Sequence, residues 1–138
     1  MENTKCRVGP AIRWLAVAAY AGFLFYLSSL HHVSLPRFPF SDKFVHAFFY
    51  AGFGSVFVWA FDPLARGWAP ARVLLTAGLA AFLYGVTDEF HQRFVRGRSP
   101  EAADLIFDAL GGLLGGGLYL ALRRKGKAKT HDSPVVSL

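Results

Sequence analysis

The sequence predicts an all-α membrane protein, a polytopic bundle of four transmembrane helices. Two observations support this fold class. The composition is strongly apolar, because 54% of the 138 residues are hydrophobic and the mean hydropathy is +0.34. These apolar residues fall into long blocks that are separated by charged or proline-containing segments. A soluble domain of this size could not bury so much apolar surface, since small domains leave a large share of their surface exposed.

The first block, residues 14–30, has the length of a transmembrane helix. Lys5 and Arg7 precede it, as in the basic region of a signal peptide. The block nevertheless exceeds the usual apolar region of about 7–15 residues, and no A-x-A-like cleavage site follows it. We therefore predict an uncleaved first span after a cytoplasmic segment at residues 1–13, and then a proline-containing loop.

Three further spans and a tail complete the predicted membrane domain, which covers residues 14–122. The second span is residues 44–61. The third apolar block ends at Thr87, short of the ~20 residues that cross a bilayer, so its helix must continue through the following polar residues to give a span at 73–92. The fourth span is 104–122. Residues 123–138 are basic and lack apolar periodicity, and we predict a disordered cytoplasmic tail.

The formal net charge of +6 is interpreted as an orientation signal. Excess positive charge in a soluble protein would suggest nucleic acid as a partner. Here the basic residues lie at the ends of apolar blocks, so nucleic-acid binding is not predicted. With four spans, the termini and middle loop carry twice as many Lys and Arg residues as the other side. By the positive-inside rule, both termini are predicted to be cytoplasmic in a multi-pass inner-membrane protein.

Polar residues recur at the membrane face opposite the termini. Asp42, His46 and Tyr50 are spaced by four along the second helix, so they lie on one face. The end of the third helix and the start of the fourth carry similar polar pairs at the same side of the membrane. We therefore predict one ligand-binding site at the outer face, formed by Asp42, Lys43, His46, Tyr50, Glu89, Gln92, Arg98, Asp104 and Asp108.

Asp108 is the strongest single signal, because it lies one helical turn, about 5 Å, deeper than Asp104. Intramembrane carboxylates are costly and usually pair with a partner inside the bundle. Arg98 or Lys43 is the expected partner. An ion pair that only fixes helix packing is the alternative interpretation, and the protonation state of Asp108 is left open.

The histidines do not indicate a metal site, and the glycines indicate helix packing. His31, His32, His46 and His91 all fall on the predicted outer side, but without the short spacing of a metal motif. No metal and no cofactor is therefore predicted. The glycine pairs Gly111-x-x-x-Gly115 and Gly112-x-x-x-Gly116, with Ala81-x-x-x-Gly85 as a matching small face, predict close helix packing.

The polar residues and glycines together form an extended pattern. It reads Asp42-Lys43-x-x-His46-x-x-x-Tyr50, Glu89-x-x-Gln92, Gly97-Arg98-Ser99 and Asp104-x-x-x-Asp108-x-x-Gly111-x-x-x-Gly115. This pattern resembles the VanZ-like membrane proteins over roughly residues 30–122. Two positions depart from the family pattern, which often has Pro at position 96 and Asn at position 108. The resemblance implies a bacterial membrane protein of several helices, in a family named for a member linked to resistance to the glycopeptide teicoplanin. It implies no settled activity.

Several functions fit the predicted site. The first is binding of an anionic lipid or lipid-linked cell-envelope precursor, with Arg98, Lys43 and His46 on its phosphate. The second is an intramembrane enzyme with His46, Glu89 and Asp108 as candidate catalytic residues. A proton-coupled carrier and a subunit that binds an unknown protein partner are further alternatives. Membrane lipids are the partners that the sequence predicts.

Overall fold

The described part of the chain is all-helical and confirms the predicted fold class. The computed structural model describes residues 8–30, 41–97 and 101–131. Within them the helices are α1 (Pro10–Ser29), α2 (Ser41–Phe61), α3 (Pro70–Gln92) and α4 (Ala102–His131). Each is long and apolar enough to cross a membrane. The chain is therefore a multi-pass membrane protein.

Local sequence signals explain where the helices begin and end. α1 and α3 both begin with a proline, Pro10 and Pro70, whose fixed backbone angle suits the first helical turn. α3 does continue through its polar residues to Gln92, as a full span requires. α2 begins at Ser41, so Asp42 lies within its first turn.

α4 is longer than the predicted fourth span. It continues past residue 122 to His131, into the segment for which the sequence predicts a disordered tail. Lys, Arg and Ala are good helix formers, and extending an existing helix is easier than starting one. Arg123, directly after the predicted end of the span, forms a salt bridge with the carboxylate of Asp62. Residues 132–138 lie outside the described residues.

Glycines allow α4 to approach two neighbouring helices closely. A methyl group added at Gly111 or Gly115 would collide with the backbone carbonyl oxygens of Ala47 and Ala51 on α2. On the other side of α4, a methyl group at Gly112 would meet Ala81 of α3. The packing role predicted for the glycine pairs is confirmed, because no other residue fits at these contacts.

α2 and α4 run in the same direction, and this sets which residues face each other. Both helices begin at one end of the bundle, where α1 and α3 end; we call it the polar end. Ser55 donates a hydrogen bond of 2.9 Å to the carbonyl of Gly115, which fixes the register of the two helices deeper in the bundle. Residues that lie at the same distance from the polar end on α2 and α4 are therefore in contact.

α1 packs at the periphery, mainly through aromatic side chains. The Tyr20 hydroxyl donates to the carbonyl of Phe49 on α2 at 3.0 Å, and the Tyr84 hydroxyl of α3 donates to the carbonyl of Ala21. Outside the bundle, large apolar side chains such as Phe48 and Leu75 are 74% and 68% exposed. An apolar outer surface of this kind suits contact with lipid.

Candidate functional site

Lys43 is the centre of an ion-pair cluster at the polar end. Its ammonium nitrogen lies 2.8 Å from Asp42, 2.6 Å from Glu101 and 2.7 Å from Asp104. The Lys43 side chain is only 8% exposed. An ammonium group has three hydrogens to donate. Three carboxylates therefore surround it, and the positive charge that the sequence assigned to a phosphate is already paired.

His46 and Asp108 form a second pair, one turn deeper. His46 Nδ1 lies 2.9 Å from Asp108 Oδ1, and Asp108 is 0% exposed. Of the two alternative partners expected for Asp108, Lys43 is therefore wrong, and Arg98 lies outside the described residues. Since α2 and α4 run in parallel, Lys43 meets Asp104 at its own depth, and His46 meets Asp108.

The other ring nitrogen of His46 faces a second carboxylate across a gap. Its Nε2 lies 3.8 Å from Asp104 Oδ2. That distance is too long for a hydrogen bond. His46 is therefore held on one side by Asp108, and its second nitrogen lies near the Asp104 carboxylate without a hydrogen bond to it.

α3 contributes three buried polar residues. Asp88, Glu89 and Gln92 are 5%, 8% and 3% exposed. Gln92 Nε2 donates to Asp88 Oδ2 at 3.2 Å. Among the described residues, Asp88 Oδ1, Glu89 Oε1 and the Tyr50 hydroxyl oxygen are buried without a hydrogen-bond partner. Buried polar atoms usually have partners, so these three require an explanation.

A cavity of about 290 Å³ lies between α1, α2 and α3 at the polar end; we call it the α1–α2–α3 cavity. Leucines of α1, together with Val45 and Phe49 of α2, form its apolar wall. Its polar lining consists of Ser28, Asp42, His46, Tyr50, Asp88 and Gln92. The cavity is therefore amphiphilic, because α1 and α2 each contribute both apolar and polar side chains to its lining.

The structure brings most of the predicted site residues together. Those placed at the polar end are Asp42, Lys43, His46, Tyr50, Glu89, Gln92, Asp104 and Asp108. Arg98 lies outside the described residues, as do His31 and His32. His91 is within hydrogen-bond distance of Ser29, with 3.0 Å between Nε2 and Oγ.

Sequence reasoning missed Asp88, Glu101 and Ser28 as members of the polar end. Asp88 precedes Gln92 by four residues, a spacing that places both on one face of α3. Glu101 lies directly before the first turn of α4, where an acidic residue is favourable. Ser28 offered no signal, because a serine near the end of an apolar helix is common.

Among the described residues at this end, two groups have the chemistry of metal ligands. The first is His46, Glu89 and Asp104, each offering one ligand atom, with these atoms all within 4.8 Å of one another. The second is Asp42, Glu101 and Asp104. The three carboxylates of the second group all contact the Lys43 ammonium, so a cation already occupies that position.

The comparisons with known proteins agree with the motif. The family model described as VanZ/LLP1 matches residues 14–123. No curated protein and no solved structure matches the chain.

Proposed function

The chain belongs to the VanZ-like family of membrane proteins, and on that premise we propose that it binds an anionic lipid or lipid-linked cell-envelope precursor at the outer face of the inner membrane. The observation that carries the proposal is the α1–α2–α3 cavity. It lies at one end of the bundle and combines apolar side chains with polar groups. Ligand sites are usually concave and mostly apolar, with a few polar groups that fix orientation.

The polar lining fits a headgroup that donates hydrogen bonds. Asp42 and Asp88 are carboxylates, which accept hydrogen bonds when ionised, and the Tyr50 hydroxyl oxygen is buried without a partner. An unsatisfied buried polar group costs about 1–3 kcal/mol. Hydroxyl or amine groups of a bound headgroup would remove part of that cost. We therefore assign the hydroxyl- or amine-bearing part of the ligand to this cavity.

The phosphate of the ligand is assigned to Arg98. Lys43 is held by three carboxylates, so it has no spare positive charge for an anion. A guanidinium group matches phosphate oxygens with paired hydrogen bonds. Arg98 follows α3 in the chain and precedes α4, both of which contribute to the polar end. The excess of basic residues at the other end supports an outer location for this site.

Native mass spectrometry of the protein in nanodiscs made from bacterial lipids tests the proposal. We expect a specific lipid or lipid-linked sugar on the wild type and its loss in Arg98→Ala. Arg96→Ala is the matched control, because it removes the same charge from the same connection. Leu27→Trp fills the cavity from α1 and should also remove the lipid, whereas Leu79→Trp, at an exposed position on α3, should not. Equal lipid adducts on all five proteins would refute the proposal.

An intramembrane enzyme is the second candidate, and the contact between His46 and Asp108 favours it. A carboxylate that holds one imidazole nitrogen leaves the other free to act as a base. Glu89 is a second candidate for the catalytic acid or base, because its buried Oε1 has no hydrogen-bond partner among the described residues. Purified protein would be incubated with envelope lipids and the products analysed. Turnover that Asp108→Asn abolishes without loss of lipid binding would favour the enzyme.

A further inference from the structure

We propose that His46, Glu89 and Asp104 form a binding site for a divalent transition-metal ion. The three residues come from α2, α3 and α4, and their ligand atoms lie within 4.8 Å of one another. Because each comes from a different helix, the set has no short sequence spacing. This inference goes beyond the proposed lipid binding and does not depend on it.

The orientation of His46 is the first argument. Its Nδ1 lies 2.9 Å from Asp108 Oδ1. An ionised carboxylate accepts and does not donate, so Nδ1 carries a proton; in the neutral ring Nε2 then keeps its lone pair for a metal ion. Histidine ligands of metals almost always donate their other ring N–H to a carboxylate, carbonyl or water in this way. Asp108, at 0% exposure, holds the ring in this orientation.

The gap between His46 and Asp104 is the second argument. The 3.8 Å between Nε2 and Oδ2 is too long for a hydrogen bond. Two ligand atoms that each lie about 2.1 Å from a tetrahedral ion are roughly 3.4 Å apart. The observed separation is therefore close to that of two atoms that share a metal ion. Small shifts of the two side chains would complete the coordination.

Glu89 is the third and independent argument. Its Oε1 is buried and has no hydrogen-bond partner in the part of the chain that the structure describes, and the residue is 8% exposed. A carboxylate oxygen in this position is costly unless a cation or a proton compensates it. The Lys43 ammonium is already shared among Asp42, Glu101 and Asp104. A metal ion would supply the positive charge that Glu89 lacks.

The remaining charges of the cluster also favour a cation at this position. Asp104 contacts Lys43 through Oδ1, so its Oδ2 is the oxygen directed toward His46. The second acidic group is filled by the Lys43 ammonium and is not proposed as a metal site. One imidazole nitrogen and two carboxylate oxygens suit zinc, manganese or iron better than calcium, which prefers oxygen ligands alone. Three protein ligands leave a further position for water or a bound molecule.

Metal binding to the full-length, untagged protein tests the inference. The protein would be stripped with a chelator in detergent, and Zn²⁺ and Mn²⁺ would each be titrated by calorimetry. We expect one ion per chain. His46→Gln and Glu89→Gln should each weaken binding at least tenfold. Asp108→Asn should weaken it by about 10–100-fold, because residues that orient a ligand usually have that effect.

Glu101→Gln is the matched control, since it removes a carboxylate of the same cluster that lies outside the proposed ligand set. It should bind the metal as the wild type does. Loss of binding in Glu101→Gln but not in Glu89→Gln would move the ion to the other acidic group and overturn the assignment. No binding to wild type would overturn it as well.

X-ray absorption at the zinc edge of the wild type keeps the test independent of how the variants fold. Scattering from one imidazole ring is expected, and its absence would contradict the proposal. Lipid binding is measured separately by mass spectrometry, so the proposals of lipid binding and of metal binding can fail independently. A protein that binds metal but no lipid would refute only the proposal of lipid binding.

Discussion

Asp108 shows how much of the site the sequence could specify. Its depth in the membrane followed from its four-residue spacing from Asp104 and from the position of the fourth apolar block. Its partner did not follow, because the partner depends on the register between two helices that are distant in the chain. The structure pairs Asp108 with His46 at 2.9 Å. An isolated sequence contains the spacing within a helix but not the relative height of two helices.

Two substitutions at Asp108 should distinguish the contribution of side-chain size to stability from that of the hydrogen bond with His46. Asp108→Asn keeps the size and one acceptor oxygen toward His46 Nδ1, so we expect a small loss of thermal stability in detergent. Asp108→Leu leaves Nδ1 buried without an acceptor, which should cost about 1–3 kcal/mol. Unfolding followed by circular dichroism measures the difference. Equal melting temperatures for the two variants would show that the contact with His46 does not stabilise the fold.

We expect substitution of Lys43 to lower thermal stability more than substitution of Asp108. Lys43→Met removes the ammonium and leaves the Asp104 carboxylate, 7% exposed, without its cation. Breaking a buried ion pair from one side costs roughly 3–5 kcal/mol. Lys43→Met should therefore lower the melting temperature strongly, whereas Arg66→Met, at the exposed turn between α2 and α3, should not. The same unfolding assay measures this difference. A Lys43→Met variant as stable as the wild type would show that the ion pairs of Lys43 do not stabilise the fold.

At the scale of the helices, the glycines were predicted well, because small residues at four-residue intervals have a direct packing consequence. The polar end was predicted less completely. Glu101 was missed, since it lies at the N-terminus of α4, where acidic residues are common for other reasons. Asp88 was missed although its four-residue spacing from Gln92 places both on one face of α3. Local periodicity identifies a face, but it does not show which neighbouring residues a helix terminus brings within reach.

Gly115 provides a test of the contact between α2 and α4. In Gly115→Ala the added methyl group would collide with the carbonyl oxygen of Ala51, so the two helices must separate and stability should fall. Gly22→Ala in α1 is the control, because nothing lies within 4 Å of its added methyl group. There, alanine should stabilise the helix by up to about 1 kcal/mol. A neutral Gly115→Ala would show that the helices pack less tightly than the structure indicates.

For the whole molecule, the predicted orientation is testable with single cysteines. In a Cys6→Ser background, Arg96→Cys marks the connection after α3 and Arg66→Cys the turn after α2; both side chains are exposed. If the termini are cytoplasmic, a membrane-impermeant thiol reagent added to intact spheroplasts should label only the first. Labelling of Arg66→Cys alone would reverse the orientation, and would place the polar end in the cytoplasm.

The contact between α2 and α4 also limits which parts of the bundle move. Where backbone rests on backbone through Gly111 and Gly115, there are no long side chains whose rotamers could absorb sliding. α1 is attached differently, through the hydroxyl groups of Tyr20 and Tyr84 and through aromatic rings. It also forms one wall of the α1–α2–α3 cavity. Outward tilting of α1 would therefore open the cavity sideways, giving a lateral gate within the bilayer for the lipid that we propose as the ligand.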